Sequence, residues 1–368
     1  MGEKKILMIS RSFYPLISPR SFRATDLAKE FVRQGNRVKV LTVFIEGFDY
    51  NELGKALGIQ FANLGKAKFR GFILKGKGIS LLFKRFANRV FRMVIEYPDI
   101  QLMPLVVKAL RQESDYNLMI SFSVPYPIHW GVAWARTKNH RIADKWIADC
   151  GDPYMGDQMD TIRKLFYFKY VEKWFCRKAD YITINVSDGH KSYYPEFHEK
   201  IKYIPRGINF DEVKISDNYV LNTPIRFAYA GGFIPYKRDP RPFIEYLLSL
   251  EIDFEFVIFT QRVALVNSYA EKFPGKIIIK DYIPRLELIK YLSTVDFLVN
   301  FDNNRDATFP SKLVDYAITK RPILNIKSTL DKVAISAFLA RDYSKSYCIE
   351  NLEQYNISTV AKQFLDLD

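Results

Sequence analysis

Short apolar runs, rich in β-branched and aromatic residues, recur along the chain and alternate with stretches of helical periodicity. Runs this short and this apolar are typical of strands that are buried on both faces of a parallel sheet. FRATDLAKEFVRQG (22–35) predicts a connecting helix that ends at Gly35. The pattern therefore predicts an α/β fold. In the N-terminal half the runs are KILMIS (5–10), RVKVLTVF (37–44), LMISFS (118–123), KWIADC (145–150) and DYITIN (180–185).

A second series of the same kind follows in the C-terminal half. Two successive series in a chain of 368 residues predict two Rossmann-like domains that face a central cleft. We place the domains at 1–204 and 205–350, with 351–368 as a C-terminal helix that packs back towards the N-terminal domain. The runs are IRFAYAGG (225–232), FEFVIFT (254–260), KIIIK (276–280), DFLVNF (296–301) and PILNI (322–326).

Composition narrows the class of protein. Apolar residues make up 48% of the chain and aromatic residues 15%, which excludes a disordered chain. The three cysteines (Cys150, Cys176 and Cys348) show no CxxC spacing, and the one DxD motif is at 366–368, so we expect no disulfide framework and no metal. The first ten residues are too poor in apolar residues for a signal peptide, and no run reaches the roughly 18 residues that span a bilayer. These features predict a cytoplasmic protein.

The charge is placed unevenly. Residues 1–200 carry 33 Lys and Arg against 20 Asp and Glu, whereas residues 201–368 carry 22 against 21. A basic half indicates a nucleic acid, a membrane surface or an acidic substrate as partner. No zinc finger, RNP motif or helix-turn-helix accompanies the charge, so we expect no nucleic acid.

Residues 79–95 combine both properties in one predicted helix. Six apolar side chains recur at helical spacing and four cations lie on another face, which is the pattern of a basic amphipathic helix. Such a helix lies in the interface of an anionic membrane, which would place the protein on the inner face of the plasma membrane. The alternative is that the apolar face packs on the N-terminal domain. The apolar residues are Ile79, Leu82, Phe83, Phe86, Val90 and Met93, and the cations are Lys84, Arg85, Arg89 and Arg92.

FPSKLVDYAITKRPIL (309–324) predicts a short helix that leads into a buried strand. Pro310 and Ser311 suit a helix entrance, where free amides and the macrodipole attract phosphate. Asp315 lies one turn deeper on the face of Ser311, where a carboxylate could accept hydrogen bonds from a ribose diol. The alternative is an ordinary capped helix with one solvated acid.

Glycine and cations follow the first strand of the second series. Gly231 and Gly232 allow close approach of a ligand to the backbone, and Lys237 and Arg238 follow in the same loop. This combination favours phosphate. The GxGxxG fingerprint is absent, which disfavours a dinucleotide-dependent dehydrogenase.

The N-terminal half offers its own candidates at predicted strand ends. Arg20 and Arg23 lie three residues apart near a helix start and suit a diphosphate. Asp149 and Asp152 end a predicted strand, where a carboxylate orients an acceptor hydroxyl or acts as a base. His129 is a further candidate base. For each the alternative is structural: solvated arginines, a capping Asp152 and a packed loop histidine.

Four of these stretches, in this order, resemble the GT-B glycosyltransferases, and in particular a bacterial subgroup of retaining family 4. FYPLISPRSFRATDLAKEFVRQGNRVKVLT (13–42) resembles the N-terminal block of that family, and WIADCGDPY (146–154) is similar to a WIADFRDPW block. YIPRGINFD (203–211) resembles the interdomain iPNGfD stretch, and residues 309–324 resemble the donor motif PSKLfEYlaagkPvi. The resemblance spans nearly the whole chain.

The resemblance implies a retaining, metal-independent transferase without a cofactor. It would move a sugar from a nucleotide-diphosphate donor, bound by the C-terminal domain, to a saccharide or lipid-linked acceptor, bound by the N-terminal domain. Cell-surface polysaccharide synthesis is the implied role. The implied catalytic residues are Asp152, Lys237, Arg238 and Lys312. The implied donor-binding residues are Arg20, Gly231, Gly232, Pro310, Ser311 and Asp315. The implied acceptor-side residues are Arg23, His129 and Asp149.

This chain departs from the family at one paired position. Members carry two glutamates eight residues apart, whereas here Ala307 stands eight residues before Asp315, and Asp306 is out of step. Two rivals therefore stay open beside the transferase, a GT-B sugar-nucleotide epimerase and an inactive GT-B binding protein. A basic nucleic-acid binder is the third.

Overall fold

The chain forms two compact units, Met1–Ile208 with Ile357–Asp368, and Asn209–Asn356. The division thus falls after residue 208, against the predicted 204, and the last twelve residues belong with the first unit. The structure is a computed structural model. It describes residues 2–68, 79–151, 153–156, 164–185, 187–216, 219–236, 238–302, 311–327 and 329–367.

The first unit is built on a parallel sheet with the strand order β3-β2-β1-β4-β5-β6-β7. The order reverses between β1 and β4, which is a topological switch point. Its strands are β1 (Lys5–Ile9), β2 (Arg37–Thr42), β3 (Ile59–Asn63), β4 (Tyr116–Phe122), β5 (Ala143–Asp149), β6 (Tyr181–Ile184) and β7 (Ile201–Tyr203). Its helices before β7 are α1 (Pro19–Arg33), α2 (Tyr50–Leu57), α3 (Ile79–Ile95), α4 (Leu102–Leu110), α5 (Pro127–Ala135) and α6 (Phe168–Lys178).

The second unit repeats the plan with a parallel sheet of the order β10-β9-β8-β11-β12. The switch point here lies between β8 and β11. Its strands are β8 (Ile225–Ala230), β9 (Phe254–Phe259), β10 (Ile277–Lys280), β11 (Phe297–Phe301) and β12 (Ile323–Ile326). Its helices are α7 (Arg241–Leu248), α8 (Asn267–Lys272), α9 (Arg285–Leu292), α10 (Ser311–Ile318) and α11 (Lys332–Leu339).

The last helix, α12 (Ile357–Leu365), closes the first unit. It contacts α1, and the Phe364 ring meets the Phe31 ring edge-on with the centroids 6.4 Å apart. The helix buries Val360, Ala361 and Phe364 in the core on that face of the sheet. The chain thus leaves the first unit, builds the second and returns.

Each sheet carries a core on both faces, as the continuous apolar runs predict. In β1, Leu7 and Ile9 point into one core cluster, whereas Ile6 and Met8 point into the other. This alternation is the geometric consequence of the two-residue period of a strand. The prediction of an α/β fold with two Rossmann-like units is confirmed.

Two strands, β3 and β7, were not predicted. Both lie at sheet edges, where the residues of β7 are only half-buried and only the first residue of β3 is buried. An edge strand has one neighbour instead of two, so it needs no continuous apolar run.

Candidate functional site

A cavity of about 300 Å³ opens at the carboxyl edge of the second unit's sheet. This is the edge at which open α/β sheets bind ligands. The cavity wall combines the ends of β8 and β9, the loop after β10, one face of α9 and the first two turns of α10. It is lined by Ala230, Gly231, Gly232, Phe259, Thr260, Gln261, Arg262, Tyr282, Ile283, Leu288, Leu292, Lys312, Asp315 and Tyr316.

Gly231 and Gly232 follow the carboxyl end of β8. Gly231 has φ +146°, a conformation that side chains rarely adopt, and its amide donates to the Phe259 carbonyl at 2.9 Å. A Cβ at Gly231 would lie 3.1 Å from the Tyr229 hydroxyl oxygen. The chain therefore turns closely around the strand end, and both glycines line the cavity. Their predicted role in phosphate binding stays a prediction.

Tyr316 fixes α10 to this strand end. The Ala230 amide donates to the Tyr316 hydroxyl oxygen at 2.7 Å, and the Tyr316 side chain is fully buried. Leu313 and Val314 are buried on the same helix, whereas Ala317 is only half-buried. The helix entrance is thereby held against the glycine loop.

Lys312 supplies a buried cation in the cavity wall. Its Nζ is buried and lies 4.2 Å from the centroid of the Tyr229 ring, and it has no hydrogen-bond acceptor among the described residues. Burial, reinforced by the charge of Arg238 and opposed by that of Asp302, lowers the pKa of Lys312 to about 7. A buried cation without a partner is unfavourable unless a ligand supplies the anion.

Arg238 adds a second cation near Lys312. Its backbone pairs with Ile234, with N–O distances of 2.8 and 3.1 Å, which closes a tight turn after the glycine loop. Its Nε is buried and has no acceptor in the described part of the chain. Burial raises the pKa of Tyr229 to about 12, although the nearby Arg238 acts to lower it. Lys312 Nζ and Arg238 Nε are therefore two buried donors near the glycine loop that lack an acceptor among the described residues.

Asp315 is held by an arginine that the sequence did not suggest. Arg285, at the start of α9, donates from Nε to both carboxylate oxygens of Asp315, at 3.1 and 3.2 Å, and from Nη2 to Oδ1. The Asp315 side chain is 19% exposed and lines the cavity. An arginine fork occupies part of the lone-pair capacity of a carboxylate and leaves the rest for a hydroxyl.

Arg262, Thr260 and Tyr282 also line the cavity, and the sequence analysis named none of them. The Arg262 amide donates to Thr260 Oγ1 at 3.1 Å, which fixes the turn after β9. These residues follow the ends of β9 and β10. The rule that ligands bind beyond carboxyl strand ends, applied to those two loops as well, would have found them.

Four predicted positions cannot be placed. Asp152, Lys237 and Pro310 lie outside the described residues, as does the side chain of Ser311. Ser311 is described only as the first residue of α10. Their predicted roles stay predictions.

In the first unit, Arg23 and Asp149 bond to each other. Arg23 donates from Nε and Nη2 to the two carboxylate oxygens at 2.7 and 2.8 Å, and also to the carbonyls of Ile204 and Pro205. Asp149 accepts a further hydrogen bond from Thr183 Oγ1 at 2.7 Å. Burial acts to raise the pKa of Asp149, but Arg23 holds it below its usual value. Both side chains are buried, so this geometry favours a structural role, and their predicted acceptor-side role stays a prediction.

His129 lies on α5 rather than in a loop, and its side chain is fully buried. Nδ1 lies 2.8 Å from Ser121 Oγ, which also accepts from Trp146 Nε1, and Nε2 lies 3.4 Å from Cys150 Sγ. Burial lowers the pKa of His129 to about 3, which Asp149 opposes and Arg20 reinforces. The ring is therefore packed and neutral at physiological pH, and its predicted acceptor-side role stays a prediction.

Arg20 stands near the start of α1, beside the loop after β5. A Cβ at Gly151 would lie 1.8 Å from Arg20 Nη1, so a side chain there would displace the arginine. Its charge lowers the pKa of both Asp149 and His129. The structure thus brings Arg20, Arg23, His129 and Asp149 together at the carboxyl edge of the first sheet.

Two further findings concern metals and cavities. No group of three or more His, Cys, Asp or Glu side chains in the described ranges could hold a metal ion. A second groove of about 460 Å³ lies between α4 and α5, and no carboxylate, serine or cysteine among the residues that the structure describes lines it. It is lined by Met103, Pro104, Val107, Lys108, Arg111 and Trp134.

Solved structures of similar fold cover the whole chain. A glycosyltransferase from Rickettsia africae matches with a TM-score of 0.59 at 12% identity, covering 100% of this chain and 94% of that one. The two-unit plan is that of the GT-B glycosyltransferases. Staphylococcus aureus TarM matches with a TM-score of 0.60 at 13% identity, covering 99% and 98%. Anabaena HepE, solved with UDP and glucose, matches with a TM-score of 0.55 at 12% identity, covering 99% of both chains. No protein-family model and no curated protein sequence matches.

Proposed function

We propose that this protein is a retaining, metal-independent glycosyltransferase. It moves a sugar from a nucleotide-diphosphate donor, bound in the cavity of the second unit, to a saccharide or lipid-linked acceptor in cell-surface polysaccharide synthesis. Lys312 carries the proposal, because its buried ammonium lacks an acceptor among the described residues and faces a glycine loop at a switch point. A donor diphosphate would supply the missing anion. The solved complex of HepE with UDP and glucose supports this donor class.

The residues of the cavity suit stabilisation of a leaving group. In the proposed reaction the bond between the anomeric carbon and the diphosphate oxygen breaks, and the diphosphate takes the electron pair. The acceptor oxygen bonds to the same face of the sugar, and its proton passes to the departing phosphate. Lys312, Arg238, Arg262 and the free amides at the start of α10 would neutralise the developing charge. Lys237 and Ser311 retain the same proposed role.

A binding screen tests the donor class. Thermal unfolding is followed with UDP-, GDP-, dTDP- and CMP-sugars, with and without EDTA. A donor present at a hundred times its dissociation constant stabilises the protein by about 2.7 kcal/mol. We expect a shift with one base class, and we expect it to survive EDTA. A protein that none of the nucleotide sugars stabilises would contradict the proposal.

The reaction products separate the remaining candidates. With the bound donor and an acceptor mixture, we expect a glycoside with the donor's anomeric configuration, read by NMR. Isomerised donor formed without acceptor, with solvent deuterium in the sugar, would instead establish an epimerase. Binding without turnover would establish an inactive binding protein.

Asp315 is predicted to bind the donor's ribose. We expect Asp315→Asn to weaken donor binding about 10- to 100-fold, because hydrogen bonds to a charged acceptor contribute about 1.5–3 kcal/mol. Arg285→Gln should weaken binding less, since the carboxylate stays but loses its orientation. Isothermal titration with the donor found by the screen measures both effects.

The matched control for this prediction is Asp253→Asn, an exposed aspartate of the same unit. It should bind donor as the parent does. Equal affinity of Asp315→Asn and the parent would remove Asp315 from the ribose site.

A further inference from the structure

The helix α3 presents apolar side chains to solvent. Leu82 is 63% exposed, Phe83 69% and Phe86 64%, and no side chain described between Leu81 and Ile95 is buried. The alternative in which the apolar face packs on the first unit is therefore wrong for these three residues. Three large apolar residues within five positions of one helix form a patch that water solvates poorly.

The charged residues of this helix have one sign. The helix contains four cations and no acidic residue. At 100° per residue, Leu82, Phe83, Phe86 and Met93 fall within a 100° arc. Arg85, Arg89 and Arg92 are exposed and follow along one border of that arc. Cations that border an apolar stripe lie at headgroup level when the stripe enters a bilayer interface.

The C-terminal end of α3 is fixed to the first unit. The Tyr167 hydroxyl donates to the Val94 carbonyl, Lys164 pairs with Glu96, and the Phe91 and Tyr97 rings meet with centroids 6.0 Å apart. The exposed apolar side chains therefore belong to an anchored helix.

Two exposed aromatic residues continue the surface next to this anchor. Phe166 is 73% exposed and Tyr170 is 60% exposed, and they flank Tyr167, which bonds to α3. Lys169 Nζ lies 4.9 Å from the Tyr170 ring. Aromatic residues accompanied by lysine are enriched at membrane–water interfaces.

We propose that α3, together with Phe166 and Tyr170, is a docking face for an anionic lipid bilayer. Leu82, Phe83 and Phe86 enter the acyl boundary, and the arginines meet anionic headgroups. The charge favours this occupant over a second copy of the chain, because two such faces would bring like charges together. This inference goes beyond sugar transfer and holds whether or not the second unit binds a donor.

The test uses the full chain and two kinds of vesicle, without donor or acceptor. One vesicle is phosphatidylcholine with 30% phosphatidylglycerol, about a third anionic, and the other is phosphatidylcholine alone. Co-sedimentation at low and high salt gives the partition coefficient. We expect binding to the anionic vesicle only, weakened by salt, because screened charges lose most of their attraction.

Two triple variants separate the electrostatic from the apolar contribution. The first carries Arg85→Gln, Arg89→Gln and Arg92→Gln. A cation near such a surface raises binding about fivefold, so this variant should bind on the order of 100-fold more weakly. The second carries Leu82→Ser, Phe83→Ser and Phe86→Ser and should also lose binding. Because these side chains are exposed, both variants should keep the parent's melting temperature.

Matched controls lie on the second unit. One carries Lys272→Gln, Lys332→Gln and Lys345→Gln, and the other carries Val220→Ser, Leu221→Ser and Val333→Ser, all at exposed positions. Both should bind as the parent does. Absence of binding by the parent, equal binding to neutral vesicles, or undiminished binding by either α3 variant would overturn the proposal. So would a dimer in sedimentation velocity that the α3 serine variant abolishes while vesicle binding is absent.

Discussion

Replacing Lys312 by Met is expected to stabilise the ligand-free protein while it removes most of the transfer activity. The buried Nζ of Lys312 has a pKa of about 7, whereas an unfolded lysine titrates near 10.4. Methionine keeps an unbranched stem of similar length and removes the buried charge beside Tyr229. The gain in the free energy of unfolding at pH 7 is at most about 4 kcal/mol. Loss of one positioned cation lowers turnover on the order of 10²-fold.

The pH dependence has a defined sign. Between pH 7 and 10.4 the unfolded chain binds more protons at Lys312 than the folded chain does, so this residue makes stability rise with pH in that window. Below pH 7 its full unfavourable contribution is present. The difference in melting temperature between Lys312→Met and the parent should therefore shrink from pH 7 to pH 10. Differential scanning fluorimetry across this range measures it.

Donor binding should be coupled to the uptake of a proton by the Lys312 amine. A dianionic diphosphate favours the ammonium form, so affinity should fall as pH rises above 7 in the parent and should fall less in Lys312→Arg. Lys345→Met, at an exposed site of the same unit, is the control for a lost lysine. A Lys312→Met variant that keeps full turnover, or that is less stable than the parent at pH 7, would contradict the assignment.

The sequence predicted the parts of the fold that depend on local pattern. Strands such as β1 and β8 are continuous apolar runs because helices cover both faces of their sheets. The helix at α10 follows from its entrance residues and spacing, and α3 from its periodicity. The edge strand β3 could not be predicted in the same way, because its half-exposed face removes the apolar run.

The residues of the candidate site that lie within one sequence motif were predicted. Gly231, Lys312 and Asp315 were named because their own neighbours in the chain suggest phosphate and ribose. Arg285 was missed because it reaches Asp315 from 30 residues away. The burial of Lys312 could not be predicted from the sequence either, because it depends on contact with the Tyr229 ring of β8, which is distant in the chain.

The pair Arg23–Asp149 is also a contact between distant residues that the sequence did not predict. A second prediction, on stability, follows from it. The partners are 126 residues apart in the chain, so the sequence analysis predicted each of them separately as a ligand-binding residue. In the structure both are buried and hydrogen-bonded to each other. Removing one partner of such a pair typically costs 3–5 kcal/mol, because the other charge stays buried without compensation. We expect a loss of this size in the free energy of unfolding of the first unit for Asp149→Ala.

A double-mutant cycle distinguishes the structural role from a role in acceptor binding. Arg23→Met combined with Asp149→Leu removes both charges and should recover most of the stability that either single change loses. Because Arg23 lowers the pKa of Asp149, the pair stabilises the protein at neutral pH, and this contribution is lost only as the pH falls below about 4. Urea denaturation at pH 7 measures the cycle, and Glu196→Ala, which breaks the exposed pair with Lys173, should change little. Single variants that unfold as the parent does but lose turnover with a validated acceptor would contradict the structural role and return Asp149 to the acceptor side. Loss of stability in each single variant, recovered in the double variant, would leave acceptor recognition to other groups at the carboxyl edge of the first sheet, with Arg20 as the charged candidate beside Gly151.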